Sequence, residues 1–314
     1  MEVLAFHQSV PTYRPTPLTS VPALAAELRV GQVLVKDESQ RLGLPAFKAL
    51  GAWWAIDRAL QERPGPVELV TATDGNHGRA VARRASMLGL RAQVFVPDMV
   101  PEVAIAAIRD EGATVSVVPG SYDAAVAEAA AYAVGERLLI QDSAWPGYEV
   151  VPQLIVDGYS TLFREIAAAP DLVVVPMGVG SVAQAAVTHF RSEAPAPMML
   201  GVEPSAAACV TASLLAGELL SIPTSKTVMA GLNCGTPSTL AWPVLRSGLD
   251  HAITVEDDEA LQASADLGTA GISSGPSGAA ALAGLRAARS RLALGPDSTV
   301  ILISTEAGPA AAML

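Results

Sequence analysis

The residues with chemistry to offer are a lysine, two aspartates, two glycine-rich turns and a strand that ends in hydroxyls. Lys48 lies in Leu44-Pro45-Ala46-Phe47-Lys48-Ala49-Leu50-Gly51-Ala52. Pro45 suits a first helical turn, where its missing N–H costs nothing, so a helix is expected over 45–62. An amine held among Phe47, Leu50 and Trp53 near the positive end of a helix has its ammonium form disfavoured, which is the condition for a lysine that attacks a carbonyl. Taken alone, the same lysine also suits a solvated helix face. Lys36, a strand residue followed by Asp37 and Glu38, reads instead as a member of an ion pair.

Two further segments have the form strand, turn, helix. In Thr71-Ala72-Thr73-Asp74-Gly75-Asn76-His77-Gly78, the unpaired amides of a helix start and the close approach that Gly75 and Gly78 allow describe an anion pocket. The plainer alternative is a turn capped by Asp74 or Asn76. His77 has no partner at metal-ligand spacing in a chain with 4 histidines, so no metal site is expected. Met177-Gly178-Val179-Gly180-Ser181-Val182 would cradle a phosphate on backbone amides, although close helix–strand packing asks for the same glycines. Val182-Ala183 stands where the dinucleotide fingerprint has its third glycine, which argues against a nicotinamide enzyme. The apolar strand 300–303 ends in Ser304-Thr305, and since side chains alternate, only one of the two hydroxyls can face a ligand.

The elements that must position these residues follow a regular rhythm. Short β-branched runs are predicted as strands at 33–36, 67–72, 92–96, 114–118, 138–141, 172–176, 198–203, 252–255 and 299–304, with Ala/Leu-rich helices between most of them. The Asp/Ser/Pro/Gly cluster at 141–147 is the candidate crossing between two halves. The fold class expected is therefore α/β, a two-lobed molecule of open parallel sheets with helices on both faces, its ligands at the carboxyl ends of the strands. With 314 residues, 51% of them hydrophobic and 16% charged, the chain can bury a large core. A net charge of −11 with no basic block makes nucleic acid a poor partner. Every long apolar stretch is broken too early to span a bilayer, nothing at the N-terminus reads as a secretion signal, and two cysteines form no disulfide framework. The cytoplasm is the expected location.

The segments KDESQRLGLPAFKALGA (36–52), TATDGNHGRAVA (71–82), QDSAWPGYEVVPQLIVDGYSTL (141–162), MGVGSVAQAAVTHF (177–190), GVEPSAAAC (201–209), TVMAGLNCGTPSTLAW (227–242) and SSGPSGAAALAGL (273–285) cover nearly the whole chain. In that order they resemble the fold-type II pyridoxal-phosphate enzymes, of tryptophan synthase β-like fold. Through AFK, TATDGNHG, QDSAWPGYE and MAGLNCG the chain is most similar to the diaminopropionate ammonia-lyases within that group. The resemblance implies pyridoxal 5'-phosphate as cofactor and α,β-elimination of ammonia from 2,3-diaminopropionate, giving pyruvate and ammonia through aminoacrylate. A lyase or β-replacement enzyme acting on another β-substituted amino acid is the alternative.

By the same resemblance Lys48 joins the cofactor covalently, Asn76 meets its phenolic oxygen, and Gly178, Val179, Gly180, Ser181 and Val182 hold its phosphate. Thr305 is the choice for the pyridine nitrogen. Thr73, Asp74, Gly75, Asn76 and His77 would take the substrate carboxylate, with Asp74 and Asp142 as the acid/base pair. Two carboxylates in one pocket repel, which should raise at least one pKa and favour a substrate carrying a β-ammonium. The larger, cofactor-binding domain is expected at 1–51 and 143–314, the smaller at 52–142, and the assembly as a homodimer. The chain departs from the family pattern in its shorter length, in Pro276 before Ser-Gly, and in Ala307, which interrupts Thr-Glu-Gly.

Overall fold

The computed structural model describes residues 2–63, 65, 67–73, 75–192 and 194–308. Its strands are β1 Leu18–Ser20, β2 Gln32–Asp37, β3 Glu68–Ala72, β4 Arg91–Pro97, β5 Thr114–Val118, β6 Arg137–Leu139, β7 Leu172–Pro176, β8 Met198–Pro204, β9 His251–Val255 and β10 Thr299–Ser304. The helices are α1 Val3–Ser9, α2 Pro22–Leu28, α3 Lys48–Glu62, α4 Asn76–Met87, α5 Glu102–Asp110, α6 Tyr122–Tyr132, α7 Val150–Arg164, α8 Ser181–Phe190, α9 Cys209–Ala216, α10 Ala241–Gly248, α11 Asp257–Thr269 and α12 Pro276–Ala288. They surround two separate sheets. One has the order β1-β2-β10-β7-β8-β9 and the other β5-β4-β3-β6. All pairings are parallel except that of β1 with β2, so the α/β class with helix-covered parallel sheets is what the chain adopts. Among the described residues no helix is long and apolar enough to cross a membrane.

Two sequence expectations shift for physical reasons. The helix expected from Pro45 begins at Lys48, because residues 45–47 are engaged elsewhere: Ala46 bridges Glu306, Phe47 N–H donates to Thr305 O and Ala307 N–H donates to Pro45 O. Extended pairing with the end of β10 wins over a first helical turn, and the lysine becomes the opening residue of α3. The strand expected to reach Gln141 ends at Leu139, since the Gln141 side-chain carbonyl takes the N–H of Ala72 and stands in for a backbone partner. Pro276, the departure noted above, occupies the first turn of α12, where it is well tolerated.

The orientation of α3 is set by a close crossing with α7. A Cβ on Gly51 would lie 2.5 Å from Tyr159 Cε1, and one on Gly158 2.6 Å from Leu50 O, so both contact positions need a residue without a side chain. His7 of α1, buried, donates from Nε2 to Leu50 O and pairs through Nδ1 with Thr161 Oγ1, tying α3 to α7.

Beneath the segment that leads to Lys48 lies a buried charge cluster. Glu165, at the end of α7, receives Lys36 Nζ at 2.6 Å and Arg41 Nη1 at 2.7 Å, while Arg41 Nη2 reaches Glu38 Oε1 at 2.6 Å. Thr16 Oγ1 donates to Glu38, and Tyr13 OH donates to Glu165. Lys36 is thus an ion-pair residue, with Glu165 rather than a sequence neighbour as its partner. Burial pushes the Glu165 carboxyl up, but Arg41 and Lys36 more than offset this and bring it to about 2. A depressed carboxyl contributes stability above its ordinary value of 4.5 that is lost as pH falls toward about 2. Glu165→Gln is expected to cost about 3–5 kcal/mol in urea unfolding at neutral pH, because it strands two buried cations. The variant should also lose less stability than the wild type between about pH 5 and pH 3. A neutral-pH difference under about 0.5 kcal/mol would show that the cluster does not stabilise the fold.

Candidate active site

Lys48 Nζ lies 2.5 Å from Asp142 Oδ2, inside a cavity of about 220 Å³ between the two sheets. The lysine is held from behind by the pairing of residues 45–47 with 305–307, and its Nζ stands 5.2 Å from the Phe47 ring centroid. Its surroundings are therefore not purely apolar as the sequence suggested, since a carboxylate faces it. Asp142 follows β6 on the segment that crosses between the sheets. Its Oδ1 is 3.4 Å from Tyr122 OH, and its backbone carbonyl accepts the Ser181 hydroxyl at 2.7 Å. Burial alone would raise the Asp142 carboxyl; Lys48, with help from His77 and Tyr122, overrides it and holds the group well below the usual carboxylate range. The upward shift expected for at least one of the two carboxylates does not fall on Asp142, because the nearest charge is an ammonium.

The turn before α4 is organised by Thr73. Its hydroxyl oxygen accepts from Gly75 N at 2.9 Å and Gly78 N at 3.0 Å, so Thr73 caps this turn among the described residues, and Asn76 does not. Asn76 instead sends its amide nitrogen to Glu306 Oε2 at 2.7 Å. His77 is buried and donates from Nε2 to Ile140 O. Asp74 lies outside the described residues.

The second glycine turn joins β7 to α8, which starts at Ser181. Gly180 has φ +96°, and a Cβ there would lie 2.7 Å from Leu245 Cδ1; one on Gly178 would lie 3.1 Å from Cys234 Sγ. The turn is thus a backbone cradle in which a side chain on either glycine would crowd its neighbours. The first-turn amides of α8 have no helical acceptor and carry the positive end of the helix dipole, a donor set suited to a phosphate. The Ser181 hydroxyl is committed to Asp142 O. At the end of β10 the alternation holds: Ser304 Oγ bonds Ser274 Oγ at 2.8 Å away from the cavity, and Thr305 lines it.

The cavity brings together Lys48, Thr73, Gly75, Asn76, His77, Asp142, Gly178–Val182 and Thr305, from segments spread over most of the chain. Cys234 lines it as a buried thiol. Sequence reasoning did not select Tyr122 and Glu306 for the site, and both line it. Glu306 directly follows Thr305 and was within reach of the strand argument; burial raises its carboxyl, against the opposing pull of Ser277, Asn76 and Lys48. Tyr122 opens α6 with nothing local to mark it, and meets Asp142 only through packing of the smaller sheet's helices.

The described donors fit a phosphorylated, aldehyde-bearing ring: an amine, an amide cradle, an Asn and a hydroxyl around one cavity. Comparison with known proteins points the same way. The profile of the family described as pyridoxal-phosphate dependent enzyme matches residues 10–306. The chain is 35% identical to a diaminopropionate ammonia-lyase of Escherichia coli K12, over 96% of this chain and 86% of that protein. It is 34% identical to the diaminopropionate ammonia-lyase of Salmonella typhimurium, over 82% of this chain and 72% of the other. The solved structure of the Escherichia coli diaminopropionate ammonia lyase in complex with an aminoacrylate-PLP azomethine reaction intermediate matches with a TM-score of 0.90 at 34% identity, covering 97% of this chain and 87% of that one.

Thr73→Val removes the acceptor of two loop amides while keeping the shape of the side chain. It is expected to destabilise the fold by about 1–2 kcal/mol and to speed hydrogen exchange at Gly75 and Gly78, with Thr73→Ser close to wild type. Unchanged exchange at both amides in the Val variant would show that the turn is held by other contacts.

Proposed function

The chain belongs to the family of pyridoxal-phosphate dependent enzymes, and on that premise we propose that it eliminates ammonia from 2,3-diaminopropionate. The aminoacrylate released takes up water and gives pyruvate and a second ammonia. The observation that carries this reading is the meeting of Lys48, Asn76, the amide cradle and Thr305 around one cavity that also holds Asp142. The bound cofactor supplies an electron sink for the pair left behind when the α-proton departs. Lys48 is the amine that holds it, Gly178 to Val182 hold its phosphate, Asn76 its phenolic oxygen and Thr305 its ring nitrogen. The loop Thr73 to His77 takes the substrate carboxylate on backbone amides, as a helix start is suited to do. Asp74 and Asp142 move protons.

Charge explains the choice of a diamino acid. Asp142 and Glu306 line the cavity, and a β-ammonium meets them at lower cost than the hydroxyl of serine or threonine would. In this reading residues 52–142 form the smaller domain with the carboxylate loop, and residues 1–51 with 143–314 the larger one. We assign the protein to the cytoplasm as a homodimer; two cysteines are too few for a disulfide framework, which suits a reducing compartment, and light scattering tests the assembly.

The protein supplied with pyridoxal phosphate is expected to release pyruvate from 2,3-diaminopropionate faster than from serine, threonine or an O-activated serine. Borohydride is expected to fix the cofactor to Lys48, read by peptide mass. Colourless protein with Lys48 unmodified overturns the reading, and a preference for an activated serine turns it toward β-replacement. Asp74→Asn and Asp142→Asn are each expected to lose turnover of one enantiomer by about a hundredfold or more. Full turnover of both enantiomers by both variants would remove the aspartates from the mechanism.

A further inference from the structure

An amine that attacks an aldehyde must first be neutral, and Lys48 faces an ionised carboxylate at 2.5 Å. The proton it gives up needs a place to stay. Asp142 Oδ2 is the adjacent acceptor, and behind it stands His77. The Nε2 of His77 lies 2.7 Å from the Ile140 carbonyl, which can only accept, so Nε2 carries the ring hydrogen. Burial lowers the pKa of this imidazole, against the opposing field of Asp142, and keeps the ring neutral. Nδ1 is then a bare lone pair. It is buried, has no hydrogen-bond partner among the described residues, and lies 3.9 Å from Asp142 Oδ2. While Asp142 is ionised, two acceptors confront each other with no hydrogen between them. A single proton on either resolves this, by closing the gap to hydrogen-bond range of about 2.7–3.2 Å.

We propose that Asp142 and His77 form a two-member proton store for Lys48, His77 acting as a positioning residue through its bare Nδ1. The Nζ–H bond of the ammonium breaks and an Oδ2–H bond forms, hydrogen-bonded to Nδ1; Lys48 is left as a free amine, and no other reactant is consumed. Other groups that the described residues bring to the pair fit this role. Tyr122 OH faces the other carboxylate oxygen from α6. The phenols of Tyr148 and Tyr159, near Asp142 from the crossing segment and α7, are pushed upward by burial and stay neutral. Glu306 acts on Lys48 from the end of β10. The inference rests on the reading of Lys48 as the covalent amine.

The test uses the cofactor-free protein, labelling lysines with trace acetic anhydride across pH and reading Lys48 by peptide mass. His77→Leu is expected to shift the Lys48 labelling curve upward by about one pH unit, a roughly tenfold slower reaction near neutrality. His77→Asn, whose amide oxygen replaces Nδ1 as an acceptor, should restore most of the rate. A labelling curve in folded His77→Leu identical to wild type overturns the proposal. Nitrogen NMR of wild-type protein covers the case in which the Leu variant does not fold. Nδ1 is expected to appear bare before Lys48 is acetylated and hydrogen-bonded or protonated after, and an unmoved signal overturns the proposal. Loss of cofactor trapping with the labelling shift intact would sink the functional reading alone.

Discussion

An ammonium and a carboxylate in contact inside a closed-in space, Lys48 with Asp142, set the terms for the surrounding structure. Burial penalises both charges, and their proximity offsets the penalty only while the geometry is held. Several segments hold it. Asp142 O takes the Ser181 hydroxyl, which ties the carboxylate to the glycine cradle at the start of α8. Lys48 opens α3, whose approach is fixed by pairing with residues 305–307 on one side and by the glycine crossing with α7 on the other. Displacing either charge therefore disturbs the cradle, the end of β10 and the crossing helices together.

The charge cluster around Glu165 serves the same end from below. Its Lys, Arg and two Glu side chains balance in sign, and apolar residues would bury at lower cost. Their hydrogen bonds are directional, and they fix the loop between β2 and α3 in one arrangement, where a greasy contact would let it slide. Rigid support behind Lys48 limits the wander of its amine within the cavity.

Much of this was legible in the sequence where the signal is local. β7 and β10 fall on the residues expected because buried parallel strands are continuous apolar runs, and β5, a partly exposed edge strand, does so on a β-branched run broken only by Ser116. Both glycine turns sit between a strand and a helix, as their spacing requires. Signals that depend on distant chain were not legible. Pro45 has every local qualification for a helix start, yet residues 305–307 claim the backbone around it. β1 is a three-residue edge, too short for any periodicity to show. Tyr122 carries no local mark of function. Asp142 was expected in the cleft and lines the cavity, but the lysine at its oxygen, which holds its carboxyl low, is visible only once the two sheets are packed.

The place of β10 has a consequence for how the molecule is made. Of the described strands this is the last in sequence, and it lies between β2 and β7, so the six-stranded sheet stays split until residues 299–304 have left the ribosome. The four-stranded sheet draws only on residues 68–139 and can assemble well before that. During synthesis the nascent chain thus carries one finished sheet and another in which the facing edges of β2 and β7 stay open to wrong pairing until β10 arrives.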